Sequence, residues 1–203
     1  MRWNNLFDDL EGQLEHGLTA EDADLAVEEE RLRLGRLSMR DRLVALHAAA
    51  ARDPSWAVRL MLRTGEPLSI RPVAFGRDWV SADVVDESAR KAQCVIPLAA
   101  IAMVSLERAQ VEWSLQSTEP PGPGRGLTAG LGLAVVLRDL CRRRRAIELR
   151  LDGRIGGLVH GTIDRVGRDH VDLALHERGT PRREAEVAGF RIVPLAQIVV
   201  VRV

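Results

Sequence analysis

The sequence predicts an α+β protein: N-terminal helices followed by two tandem five-stranded β-barrels, each preceded by a helix. Three observations point there. Hydrophobic periodicity switches from helical spacing to alternation at Trp56. Two short segments occur twice in the same order. The Pro/Gly-rich run Ser117–Gly126 lies between the two occurrences, where a linker is expected. The expected organisation is an acidic-to-basic helical segment over 1–53, a first barrel over 54–116, a linker over 117–130, and a basic helix with a second barrel over 131–203.

The helices follow from caps and stripes. Asn5 caps a helix carrying Leu6, Leu10 and Leu14 on one face. Thr19, with Asp22 three residues on, opens a second helix over Ala20–Leu37. Its acidic residues come early and its arginines late, the order the helix dipole favours. Ser38 caps a third helix over Met39–Arg52, with Leu43, Leu46 and alanines inward and Asp53-Pro54 as its stop. A fourth helix runs from Leu131 to Arg145.

Strands are expected at Val58–Leu62, Leu68–Phe75, Val80–Val85, Gln93–Ile96 and Ile101–Leu106, and again from Ile147 to Val203, with a turn at Thr64-Gly65. The repeat is specific. Phe75-Gly76-Arg77-Asp78-Trp79-Val80 corresponds to Val166-Gly167-Arg168-Asp169-His170-Val171, 91 residues on. Ile96-Pro97-Leu98-Ala99-Ala100-Ile101 corresponds to Val193-Pro194-Leu195-Ala196-Gln197-Ile198, 97 residues on. The length difference falls in the charged loop Glu177–Gly189. Gly76 and Gly167 are expected at positive φ in a turn, with Asp78 and Asp169 bonding the turn backbone. Pro97 and Pro194 cannot donate to a ladder and mark strand ends.

The chain is neutral overall, with 29 basic and 29 acidic residues unevenly placed. Residues 1–30 hold ten Asp/Glu and one Arg, a net of −9, whereas residues 120–203 hold fifteen Arg and nine Asp/Glu, a net of +6. An acidic front end is therefore expected to compete for a basic back end. The candidate nucleic-acid contacts are Arg138, Arg142, Arg143, Arg144, Arg145, Arg150, Arg168, Arg182 and Arg183. A helix C-terminus favours cations, but four consecutive arginines exceed that need.

No catalytic residue, metal site or cofactor is expected. Cys94 and Cys141 lack neighbouring ligands and read as reduced, buried thiols. His170 and His176 share one strand face as surface imidazoles, and no further ligands stand at zinc spacing. Gly126–Gly132 lacks the Gly-Lys-Ser/Thr of a phosphate loop. No apolar run spans a membrane and no signal segment opens the chain, so a cytoplasmic location without membrane association is expected.

Gly161-Thr162-Ile163 followed by Val166–Leu175 resembles the first signature of the Sm/Hfq family, with Asp172 near its base-contacting position. A helix followed by five strands is also that family's order, and the resemblance covers Leu131–Val203 and, more weakly, Met39–Leu106. It implies small β-barrels, RNA rather than DNA as ligand, and assembly through strand edges. Leu98-Ala99 and Leu195-Ala196 depart from it, being apolar where the family places basic or His residues. SH3-like barrels share the Pro-Leu-x-x-Ile corner and bind protein. The start Trp3-x-x-Leu6-Phe7-x-Asp9-Leu10 is similar to that of a group of actinobacterial proteins.

Two functions follow as expectations. One is a non-enzymatic RNA- or DNA-associated regulator using the basic second barrel, masked by the acidic helices. The other is a scaffold that forms homo-oligomers or binds a protein. It would pair the strand Ile198–Val203 with another subunit and dock Leu6, Leu10 and Leu14 on a partner helix.

Overall fold

The computed structural model describes residues 24–50, 56–85, 92–116, 128–153 and 157–203. The chain forms two compact units, Met1–Asp41 and Arg42–Val203. The expected first helix with Leu6, Leu10 and Leu14, the Thr19 cap and the Pro/Gly run over 117–127 lie outside the described residues.

In the first unit, helix α1 occupies residues 24–36. Its exposed charges pair along the helix, Arg33 with Glu30 at 2.6 Å and Arg31 with Glu28 at 3.7 Å. Ser38 starts helix α2, Met39–Ala50, with a reciprocal cap: the Asp41 N–H donates to Ser38 Oγ at 3.1 Å, and the Ser38 N–H donates to the Asp41 carboxylate at 3.0 Å.

The second unit is built on one antiparallel sheet. Its strands are β1 Val58–Leu62, β2 Pro67–Phe75, β3 Trp79–Val84, β4 Ala92–Pro97, β5 Ile101–Ser105, β6 Ala146–Leu151, β7 Leu158–Val166, β8 His170–Leu175, β9 Gly189–Pro194 and β10 Ile198–Arg202. Helix α3, Arg108–Leu115, follows β5, and helix α4, Leu133–Arg142, precedes β6. The spatial order is β5-β1-β2-β3-β4-β10-β6-β7-β8-β9. The α+β class and leading helices stand, but the two closed five-stranded barrels do not. Closure needs the terminal strands of each set to meet. Here β4 pairs with β10 instead, Val201 opposite Val95 and Arg202 opposite Cys94. One half thus continues into the other, leaving β5 and β9 as outer edges. The strand Ile198–Arg202, expected to reach another subunit, is held inside the chain between β4 and β6.

The duplication is nevertheless visible throughout this sheet. Each half has the same order, β5-β1-β2-β3-β4 and β10-β6-β7-β8-β9. Ladder irregularities fall at equivalent places: between Pro72 and Ala74 and between Ile163 and Arg165. They recur where β5 meets β1 and where β10 meets β6. The Gly76 N–H bonds the Trp79 carbonyl as the Gly167 N–H bonds that of His170, both at 2.9 Å. Pro97 and Pro194 each end a strand and lead through a 3-10 turn into the next.

Two apolar clusters form the core. Val58, Ile70, Val80 and Ile96 gather with Leu43 and Leu46 of α2, while Ile147, Ile163, Val171 and Leu173 gather with Leu137 of α4. β10 serves both, sending Val199 and Val200 into the first cluster and Ile198 and Val201 into the second. A strand buried on both faces has no polar alternation, which is why Ile198-Val199-Val200-Val201 reads as an unbroken apolar run.

The glycine expectation is corrected. Neither Gly76 nor Gly167 has positive φ; Gly65, at φ 79°, does, in the Thr64-Gly65 turn. Gly76 and Gly167 are small because a Cβ would fall within the Trp79 indole at one site and the His170 imidazole at the other. Asp78 does not close its own turn: its carboxylate accepts the Leu133 N–H at 2.7 Å and caps α4, whose own N-cap Gly132 has no side chain. Trp79 Nε1 donates to the Leu131 carbonyl at 2.9 Å beside it.

Candidate functional site

The nine candidate arginines do not form one free surface. At the end of α4, Arg142 and Arg143 both grip Asp139, at 2.5 and 2.6 Å, and these contacts hold the Asp139 carboxyl below its ordinary range. Arg144 and Arg182 converge on Asp164 of β7, at 3.1 and 2.6 Å. Arg182 binds through both Nε and Nη2, a fork geometry that suits a carboxylate. Arg150 turns away to Glu66 at 2.8 Å, between β1 and β2. Among the described residues, Arg138, Arg145, Arg168 and Arg183 make no ion pair, and all four are exposed. The structure therefore places Arg142 and Arg143 on one carboxylate and Arg144 and Arg182 on another, and it separates Arg150 from them.

The histidine pairing differs from the expected one. His176 is buried, not a surface group, and faces His160 at a ring separation of 5.2 Å rather than sharing a surface with His170. Thr162 Oγ1 lies 2.9 Å from His176 Nε2, and the Glu177 carbonyl lies 3.1 Å from its Nδ1. The carbonyl can only accept, so Nδ1 carries a proton and donates to it. Opposite His160 across the ladder stands buried Glu148, paired with Arg178 and, at 3.5 Å, with Arg202. Burial, and then the neighbouring His176, push His160 below the usual imidazole value. His170 instead bonds Asp169 at 2.8 Å. Among the described residues no three His, Cys, Asp or Glu side chains converge as metal ligands, and Cys94 and Cys141 are both free thiols. No helix among them is long and apolar enough to cross a membrane.

The feature that sequence reasoning missed is the β9 edge. Phe190 and Ile192 point outward from it at 67% and 74% exposure, large apolar side chains on a strand with one unpaired side. Ile192 corresponds to Val95, which β10 covers to 9%. A cleft of about 450 Å³ beside β9 is lined by Asp164, Arg165, Asp172, Phe190, Arg191 and Ile192. The equivalent groove of the first half, about 220 Å³, is lined by Val73, Ser81, Gln93, Cys94 and Val95. Val203, half exposed, stands among the residues that line it, its N–H on the Gln93 carbonyl at 3.3 Å. The usable signal was the comparison of the repeats, since Phe190 and Ile192 stand where the first half has Gln93 and Val95. No family model, curated protein or solved structure matches the chain.

Proposed function

We propose that this is a non-enzymatic interaction protein whose β9 edge takes up an extended strand from a protein partner. One observation carries the reading: β4 has a second ladder partner in β10, whereas its repeat counterpart β9 ends the sheet. In the first half, the equivalent edge is paired with β10, Val201 opposite Val95. In the second half, the edge strand gains two large apolar side chains and has no second ladder partner among the described residues. Soluble proteins normally blunt exposed edges with charge, proline or covering loops, so an apolar edge of this kind marks a site of pairing. Strand addition supplies affinity through backbone hydrogen bonds and selectivity through alternate side chains.

A synthetic peptide carrying residues 197–203, extended by lysines for solubility, tests this directly. It should bind the Met103→Arg variant, in which β9 is untouched, saturably, and Ile192→Arg added to that variant should abolish the binding. An absence of binding to Met103→Arg alone would contradict the reading.

The arginine ridge supports a second reading, phosphate-directed RNA or DNA binding. The favouring observation is that Arg138, Arg145, Arg168 and Arg183 are exposed and unpaired among the described residues. That reading expects retention on heparin and an RNA mobility shift that weakens steeply with salt. Deleting residues 1–37 should strengthen the shift, because it removes the acidic segment. No shift at low salt after that deletion would remove this reading.

A further inference from the structure

We infer that the strand received by β9 is β5 of a second copy of this chain, seated in the register of the internal β4–β10 junction. The inference rests on the strand-accepting reading above and names its occupant.

The molecule carries both parts of one junction, once filled and once open. At the filled copy, β4 presents Val95 and β10 presents Val200 and Val201, with Val200 at 2% exposure. The repeat puts Ile192 where Val95 stands and Met103 and Val104 where Val200 and Val201 stand. These counterparts lie on the two outer strands, β9 and β5, and Met103 is 53% exposed. The open ends are thus the same two surfaces that are joined in the middle of the sheet. They are also unlike each other, one from the fourth strand of a half and one from the fifth.

Local backbone geometry agrees. β5 is bulged against β1 at the place where β10 is bulged against β6: Ile101 and Met103 pair with Leu62 and Met61, as Ile198 and Val200 pair with Leu151 and Arg150. The strand offered to the next molecule is therefore shaped like the one that already fills the junction. Transferring the internal register sets Val104 opposite Ile192 and Ser105 opposite Arg191. The turn beside β9 is open in the same sense. The Asp78 carboxylate holds the start of α4, whereas the carboxylate of its counterpart Asp169 pairs with the adjacent His170.

Such a contact is heterologous, each molecule using a different surface at its two ends. Repetition closes a ring if the rotation allows and extends a chain otherwise. The contact is not a two-fold one, and that distinction makes it testable with two edge variants, Ile192→Arg blocking β9 and Met103→Arg blocking β5.

Light scattering on the purified full chain should show wild type larger than a monomer. Each variant alone should be monomeric, and an equimolar mixture should give a one-to-one dimer, because each supplies the edge the other lacks. Circular dichroism melts checking that both variants are folded accompany the measurement, with Ile192→Lys and Met103→Lys as replacements should either arginine variant not fold. A wild type that stays monomeric at high concentration would overturn the inference. So would a Met103→Arg variant that still dimerises, which would reveal β9 pairing with itself, or a mixture that stays monomeric. Peptide capture by β9 without self-association would overturn only the second-copy assignment, whereas loss of both would also remove the strand-accepting reading.

Discussion

Asp78 ties the two halves together with one carboxylate, and its repeat Asp169 shows what the same residue does without that task. The first caps α4 through the Leu133 N–H, whereas the second is exposed and bonds His170. Asp78→Ala should cost about 0.5–2 kcal/mol in chemical denaturation, the usual range for a lost N-cap. Asp169→Ala should stay within about 0.5 kcal/mol of wild type. The two thiols also differ. Burial raises the Cys94 pKa to about 11, so its thiolate is scarce at pH 8. Alkylation followed by mass spectrometry should modify Cys94 only when the protein unfolds. His160 sets a pH dependence. Its folded pKa lies below the ordinary 6.5, through burial and His176, so the unfolded state takes up a proton first on acidification. The stability tied to its neutral form is present above that ordinary value and is lost as pH falls through it toward the lower folded one. The lowered carboxyls of Asp41, Asp139 and Asp169 titrate below this window. Melting temperature should drop between pH 7 and pH 5, and less so in His160→Leu.

Strands were the most legible elements, because alternation at Val58–Leu62, Val80–Val84 and Val171–Leu175 reports directly which face is buried. Helix α3 was not legible: Arg108–Leu115 has little apolar stripe and stands on the reciprocal cap of Glu107 and Gln110. Its position comes from tertiary contacts, Trp113 edge-on to Trp56 and Ser114 Oγ accepting from Arg42 at 2.8 Å. The turn glycines were read with the wrong physics, since what excludes a side chain at Gly76 is the Trp79 ring together with the Leu131 carbonyl and not the backbone angle. Gly76→Ala should cost about 1–3 kcal/mol in chemical denaturation, as overpacking does. The arginine ridge was legible as charge. Its neutralisation was not, because Asp139 and Asp164 become neighbours of Arg142–Arg144 and Arg182 only through the α4 turn and the β7 ladder.

At the scale of the whole molecule, the repeat announces two copies but does not say where each copy's last strand pairs. Alternation within a strand is the same whether its neighbour belongs to its own half or to the other. The fifth strands differ only in degree: Ile198-Val199-Val200-Val201 and its counterpart Ile101-Ala102-Met103-Val104 are both apolar runs, the first the more β-branched. The first is buried between two clusters and the second lies on an edge. Closure of each five-stranded set was the expectation, and the β4–β10 ladder replaces it.

Hydrogen–deuterium exchange across a range of protein concentrations tests the open-junction account most directly. The β4–β10 ladder should be protected at every concentration, because it is internal to the chain. Protection of β9 and β5 should rise together as concentration increases. Exchange from β9 that stays fast and independent of concentration, while β4 and β10 remain protected, would contradict it.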